Sequence, residues 1–290
     1  MKISNTTAIS DERYGILESI RMHAEAGFEA IDFCMCGRGG KFIFEDGWQE
    51  VVAEMKKVAK DCGLVVEQTH APFPPYATLG TPEGIAAYVE KAKRALEAAA
   101  MLGAPCMVVH PVRLPKGTHE DQLKHNLEIY SPLLPLAREY GVKIAIENMH
   151  APRKDENGNT VKHVCLTPEE HRAYIEAFND EQVVACLDIG HAVVAGSTPH
   201  DFVRGLGDKL FCLHVHDNDG ISDMHTLPYS GKLDFAEFAR ALAEVGYKGN
   251  ISLESTNYEK NLPDVLYKDG LVCMARSAAA IRTAFCESCK

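Results

Sequence analysis

Short strand-like runs alternate with helical stretches eight times along this 290-residue chain, and that alternation constrains its fold more than any other feature. The strand-like runs fall at residues 2–6, 30–34, 64–70, 106–110, 142–147, 183–188, 210–216 and 250–254. Helices are predicted around 11–27, 48–62, 81–103 and 119–140, from 167 onward, and near 199–207, 234–245 and 263–286. Thr81-Pro82-Glu83 offers an N-cap with proline at the first helical position, and Thr167-Pro168-Glu169-Glu170 reads as a capping box. No shift in composition marks a second domain, so residues 1–290 are read as one α/β unit. Eight β/α repeats predict a closed (β/α)8 TIM barrel. A doubly wound sheet would favour a glycine-rich phosphate turn after the first strand, where Asn5-Thr6-Thr7 stands instead.

Composition narrows the function. With 46% hydrophobic and 24% charged residues, the chain reads as an ordinary globular protein. Its first residues lack the apolar stretch of a signal peptide, and no run approaches the ~20 apolar residues that span a bilayer. A cytoplasmic location with no membrane partner is therefore expected. The ten cysteines are scattered, several within strand-like runs (Cys106, Cys186, Cys212), and read as reduced, small hydrophobic residues. Cys286-Glu-Ser-Cys289 has CxxC spacing but no second pair. A formal charge of −11 weighs against a long nucleic-acid track and suits a pocket whose carboxylates are balanced by metal.

The chemistry converges when side-chain parity is followed along each strand. Apolar Val142, Ile144 and Ile146 take one face of the fifth strand, leaving Ala145 and Glu147 on the other. The same alternation sets Cys186 and Asp188, Cys212, His214 and His216, and Ser252 and Glu254 toward the barrel axis. It also turns His70 and His110 inward. These residues stand at the C-terminal ends of their strands, where barrel enzymes build their sites. Glu147, Asp188 and Glu254 would repel one another there and their pKa values would rise unless a cation intervened. Asp188-Ile-Gly-His191 and Asp223-Met-His225 bring further donors. No cysteine is expected at this rim. Nitrogen and oxygen donors suit Mn²⁺, Co²⁺, Mg²⁺ or Zn²⁺, with no organic cofactor. The polar insert 153–163 after the fifth strand is read as a lid ahead of a subunit contact or a simply mobile loop.

At these residues the chain resembles the xylose-isomerase-like superfamily of metal-dependent TIM barrels, which includes sugar (or sugar-phosphate) isomerases and epimerases and the endonuclease IV branch. The motifs are Thr69-His70-Ala71-Pro72, Val109-His110-Pro111, Ile146-Glu147-Asn148, Leu187-Asp188-Ile189-Gly190-His191, Leu213-His214-Val215-His216-Asp217 and Leu253-Glu254-Ser255. Likeness to the ketose 3-epimerases implies one ion held by Glu147, Asp188, His214 and Glu254. Glu147 and Glu254 would then exchange a substrate proton. His191, with His216, His70 and His110, would contact the substrate. The chain departs from that branch where its arginine follows the metal histidine: Gly220 lies in that region. Likeness to endonuclease IV implies instead three zinc ions on nine ligands, adding His70, His110, His191, Asp223 and His225, and an abasic-DNA phosphodiesterase. The leading expectation is an isomerase or epimerase of a small sugar. Arg113, Lys116, Arg153 and Lys154 could bind a phosphate group, and the resemblance also implies a homo-oligomer.

Overall fold

A computed structural model of the chain describes residues 1–114, 117–150, 153–154, 160–161 and 164–289. One eight-stranded sheet organises it. Its strands are β1 (Ile3–Thr6), β2 (Ala30–Cys34), β3 (Val65–His70), β4 (Cys106–Val109), β5 (Lys143–Glu147), β8 (Val183–Asp188), β9 (Leu210–His214) and β10 (Ile251–Leu253). Each pairs in parallel with its neighbours in that order, and β10 pairs with β1. A parallel bridge from Val215 to Leu253 joins β9 to β10 and closes the barrel. The remaining strands, β6 (Arg153–Lys154) and β7 (Thr160–Val161), form a separate antiparallel pair. They are the described parts of the insert expected as a lid; its other residues, like Lys116, lie outside the described residues.

Helices α1 (Ala8–Tyr14), α2 (Ile16–Ala26), α3 (Trp48–Asp61), α4 (Pro82–Leu102), α5 (His119–Tyr130), α6 (Leu134–Tyr140), α7 (Pro168–Ala177), α8 (Ile189–Val194), α9 (Pro199–Leu206), α10 (Phe235–Glu244), α11 (Thr256–Asn261) and α12 (Asp264–Ser288) follow the strands. Among the described residues, no helix is long and apolar enough to cross a membrane. The first predicted helix is two, because Gly15 at φ 80° interrupts it. The predicted 119–140 helix also breaks: Pro132 and Pro135 lack the N–H groups that a continuous helix needs, and a 3-10 turn at Ser131–Leu133 intervenes. The expected capping box at Thr167 is only half formed. Its hydroxyl accepts from Glu170 N at 3.2 Å, but Glu170 Oε2 accepts from Leu166 N instead of from Thr167. The reciprocal box sits at Thr118, where Asp121 replaces the usual Glu or Gln.

Alternation along the strands divides the apolar side chains into two sets. Ile144, Ile146, Ala185, Leu187, Leu213, Val215, Ile251 and Leu253 join the large core between sheet and helices. Cys106, Val108, Ala145, Cys186 and Cys212 form a separate cluster inside the barrel, which agrees with the parity expected from sequence. Phe202 on α9 is fully buried in the outer core, so Phe202→Ala is expected to cost about 3–5 kcal/mol in denaturant unfolding. His171 on α7 is also fully buried; burial pushes its pKa down to about 4, although Nε2 donates to Ile146 O at 2.9 Å. A depressed imidazole pKa means that the unfolded chain takes up a proton first. Stability is thus complete above pH 6.5 and falls as pH drops toward about 4. Urea titrations across that range should show this slope, and His171→Phe should flatten it.

Candidate metal and active site

Asp188, the last residue of β8, caps the helix that follows it: Oδ1 accepts from His191 N at 2.7 Å, the N-cap of α8. Asn148, just beyond β5, braces the same residue, accepting from Asp188 N (2.7 Å) and donating to Asp188 O (2.9 Å). Gly190 is glycine for a steric reason. A Cβ there would stand 1.9 Å from His216 Cε1, and His216 Nε2 lies 3.1 Å from Asp188 Oδ1. His216, expected as a substrate contact, is therefore fully buried behind Asp188. The loop after β9 is folded back by the reciprocal Asp217–Thr226 backbone bonds and by Asp217, whose carboxylate accepts from Asn218, Gly231 and Leu233 N. That fold brings Asp223 and His225 over the mouth of the barrel. His225 adopts φ 43°, an uncommon left-handed conformation for a residue other than glycine.

The donors meet closely. Glu147, Asp188, His214 and Glu254 each place one ligand atom within 4.8 Å of the others. His70, His110 and Glu147 form a second group on the same criterion, and Asp188, His191 and His225 a third. His216, Asp223 and His225 also group, as do His150, His191 and Asp223. His150 carried no role in the sequence reading, although it lies two residues beyond Asn148. Glu147 is shared: its Oε1 lies 3.1 Å from His214 Nδ1, and its Oε2 lies 3.1 Å from His110 Nε2 and 3.4 Å from His70 Nε2. Glu254 Oε2 reaches His214 Nδ1 at 3.3 Å. Glu254 keeps 19% of its side-chain surface exposed against 1% for Glu147, so it is the acid turned toward the opening.

Backbone carbonyls aim three of the imidazoles. His70 Nδ1 donates to Ala71 O (2.8 Å), His191 Nδ1 to Asn148 O (2.9 Å) and His225 Nδ1 to Glu254 O (2.8 Å). A carbonyl can only accept, so each Nδ1 carries hydrogen and each Nε2 is left to face the site. Within these donor groups two buried carboxylate oxygens, Glu147 Oε2 and Asp223 Oδ1, lack a hydrogen-bond partner. Imidazole nitrogens beside unpartnered carboxylate oxygens are the donor set of a divalent cation, and these residues fit one.

The electrostatics correct one expectation. Burial pushes the Glu147 and Asp188 carboxyls up, but neighbouring imidazoles outweigh it and both are held below the usual range. His214 and His110 do this for Glu147, and His191 and His216 for Asp188. Repulsion among the acids is thus offset even before a cation enters. Burial opposes the charge on His70, yet Glu147 raises it to about 9; His225 is raised to about 9 against burial, chiefly through Asp223.

Cysteine does reach this region, contrary to expectation. Cys34 ends β2 and Cys36 follows it, with Cys36 Sγ 3.4 Å from His70 Nδ1. Parity along β2 would have pointed Cys34 inward together with Asp32, a buried acid the sequence reading passed over. Phe73, 54% exposed, packs its ring 4.9 Å from that of His110 and offers an apolar wall at the mouth. Arg113 is half-buried on the loop after β4. A cavity of about 380 Å³ at the opposite mouth, bounded by Lys2, Glu67, Phe211 and Tyr247 among others, holds none of these donors.

Known proteins carry the same frame. The family described as "Xylose isomerase-like TIM barrel" matches residues 20–276. An uncharacterized protein of Methanocaldococcus jannaschii is 31% identical over 195 residues, covering 65% of this chain and 64% of that one. The chain thus spans a little under two thirds of that relative's length. An inosose isomerase of Bacillus licheniformis is 26% identical over 175 residues, 57% of this chain and 59% of that protein. A D-tagatose 3-epimerase-like protein superposes with a TM-score of 0.79 at 23% identity, covering 99% of each chain. The IOLI protein with a bound zinc atom gives 0.78 at 19% identity, covering 98% of this chain and 99% of that one. At such identities the two structures speak for the fold.

Gly190→Ala is expected to push the His216 ring off Asp188. Overpacking of this kind costs about 1–3 kcal/mol, to be read as a lower denaturation midpoint with the fold retained by circular dichroism.

Proposed function

This chain belongs to the xylose isomerase-like TIM-barrel family, and on that premise we propose that it is a divalent-metal-dependent isomerase or epimerase of a small sugar or sugar derivative. The observation that carries the reading is the convergence of Glu147, Asp188, His214 and Glu254 on one point at the C-terminal mouth. The inosose isomerase and the 3-epimerase-like protein among its relatives support the substrate class, and the zinc-bearing neighbour supports a metal. Glu147, Asp188, His214 and Glu254 would hold the cation, which would supply polarisation of adjacent hydroxyl and carbonyl oxygens and so acidify the C–H bond between them. Glu254, at the open side, takes up or returns the proton, and Glu147 serves the opposite face. His191, His70 and His110 orient the sugar oxygens, and Phe73 shields one side of the ring from water. Such an enzyme would work in the cytoplasm, and the motif resemblance implies a homo-oligomer.

A second reading has its own observation. The three donor groups His70–His110–Glu147, Glu147–Asp188–His214–Glu254 and Asp188–His191–His225 would suit three zinc ions clamping a phosphodiester, as the resemblance to endonuclease IV implies. The charge of −11 weighs against a DNA substrate.

Glu254→Gln is expected to remain folded and to lose exchange of the substrate C–H with solvent deuterium, followed by NMR on candidate ketoses in D₂O with added Mn²⁺, Co²⁺, Mg²⁺ or Zn²⁺. Undiminished exchange would remove Glu254 from proton transfer. Three tightly held zinc ions per chain together with nicking of abasic-site DNA would favour the phosphodiesterase.

A further inference from the structure

His214 differs from the three imidazoles aimed by backbone carbonyls. Its Nδ1 turns toward the site, 3.1 Å from Glu147 Oε1 and 3.3 Å from Glu254 Oε2. Its Nε2 turns away, into the barrel interior, where Asp32 Oδ2 lies 3.3 Å off. His214 is fully buried and Asp32 is 1% exposed. His214 Nε2 is buried and the 3.3 Å approach of Asp32 falls short of a formed hydrogen bond in this structure; an Nε2 hydrogen there needs an acceptor from the protein, and Asp32 is the carboxylate placed to become one. Asp32 is in turn held: Gln68 Nε2 donates to Asp32 Oδ2 at 2.9 Å and to Leu213 O at 3.3 Å. Gln68 thereby ties the acid on β2 to the strand that carries His214.

From this geometry we infer that Asp32, with Gln68 behind it, is a positioning residue that fixes His214 as the Nε2–H tautomer and presents the Nδ1 lone pair to a divalent cation. A carboxylate behind a metal-binding imidazole fixes ring orientation and raises ligand basicity. A buried acid on a strand that supplies no donor to the cation groups also acquires a purpose. Removing it would free the ring to rotate and to hold its hydrogen on either nitrogen, so the cation would compete with a misaligned ligand. The inference rests on the proposed cation site, and its test separates failure of one from failure of the other.

Asp32→Asn keeps the shape of the side chain and removes its charge. Wild type, Asp32→Asn and Phe202→Ala, whose substitution lies in the helical layer, would be stripped with chelator and titrated with Co²⁺. Affinity would be read by calorimetry and ligand geometry by the visible absorption of the bound ion. Asp32→Asn should bind Co²⁺ about 10- to 100-fold more weakly with an altered visible band. Phe202→Ala, though less stable, should bind as wild type does. Wild-type affinity and band in Asp32→Asn would overturn the inference and leave the cation site standing. Equal loss in Phe202→Ala would also overturn it, by tracing the effect to general stability. No Co²⁺ binding by wild type would overturn the cation site itself, and the inference with it. Should Asp32→Asn fail to fold, Gln68→Leu takes its place: weaker binding is expected, and unchanged binding overturns the inference.

Discussion

Carboxylates that share a small, nearly dry space repel one another, and the upper end of this barrel is built around that repulsion. Glu147, Asp188 and Glu254 cannot be ionised side by side without positive partners. The chain answers with imidazoles, each interleaved between acids: His214 between Glu147 and Glu254, His191 between Glu147 and Asp223, and His225 between Asp223 and Glu254. Those imidazoles outweigh burial and hold the Glu147, Asp188 and Asp223 carboxyls below the usual range. That pairing allows so many ionisable groups to remain inside a folded chain.

The barrel makes this arrangement possible through strand parity. Outward-facing Ile, Leu and Val bind the sheet to its helices, while the same strands point short side chains and then ionisable ones inward. Cys106, Cys186 and Cys212 fill part of the interior, beside the buried Asp32 and Gln68. The candidate cation donors stand one step higher, at the C-terminal ends of the strands. A single register rule therefore separates stability from chemistry along each strand.

That rule explains what could be read in advance. Strand positions and the inward set His70, His110, Glu147, Asp188, His214 and Glu254 follow from alternation alone, because a period of two leaves little freedom. Helix breaks at Gly15 and at Pro132 with Pro135 carried local signals that a longer helical pattern concealed. Asp32 and Cys34 carry the same signal, since alternation along β2 points both inward, whereas Cys36 lies beyond the strand, where the period of two no longer applies. The depressed carboxyls of Glu147 and Asp188 were beyond reach, since they depend on which imidazoles lie nearest in space. The burial of His216 likewise depends on the close approach of Gly190, which no periodicity encodes.

The main chain does much of the aiming. Carbonyls of Ala71, Asn148 and Glu254 grip the rear nitrogens of His70, His191 and His225. No exchange of a neighbouring side chain deletes those grips, since every residue type brings the same carbonyl. Drift in the surrounding sequence can then reshape the walls that select a substrate while the direction of these imidazoles is inherited with the path of the backbone. A scaffold of this kind can change its walls without first rebuilding how it aims these imidazoles.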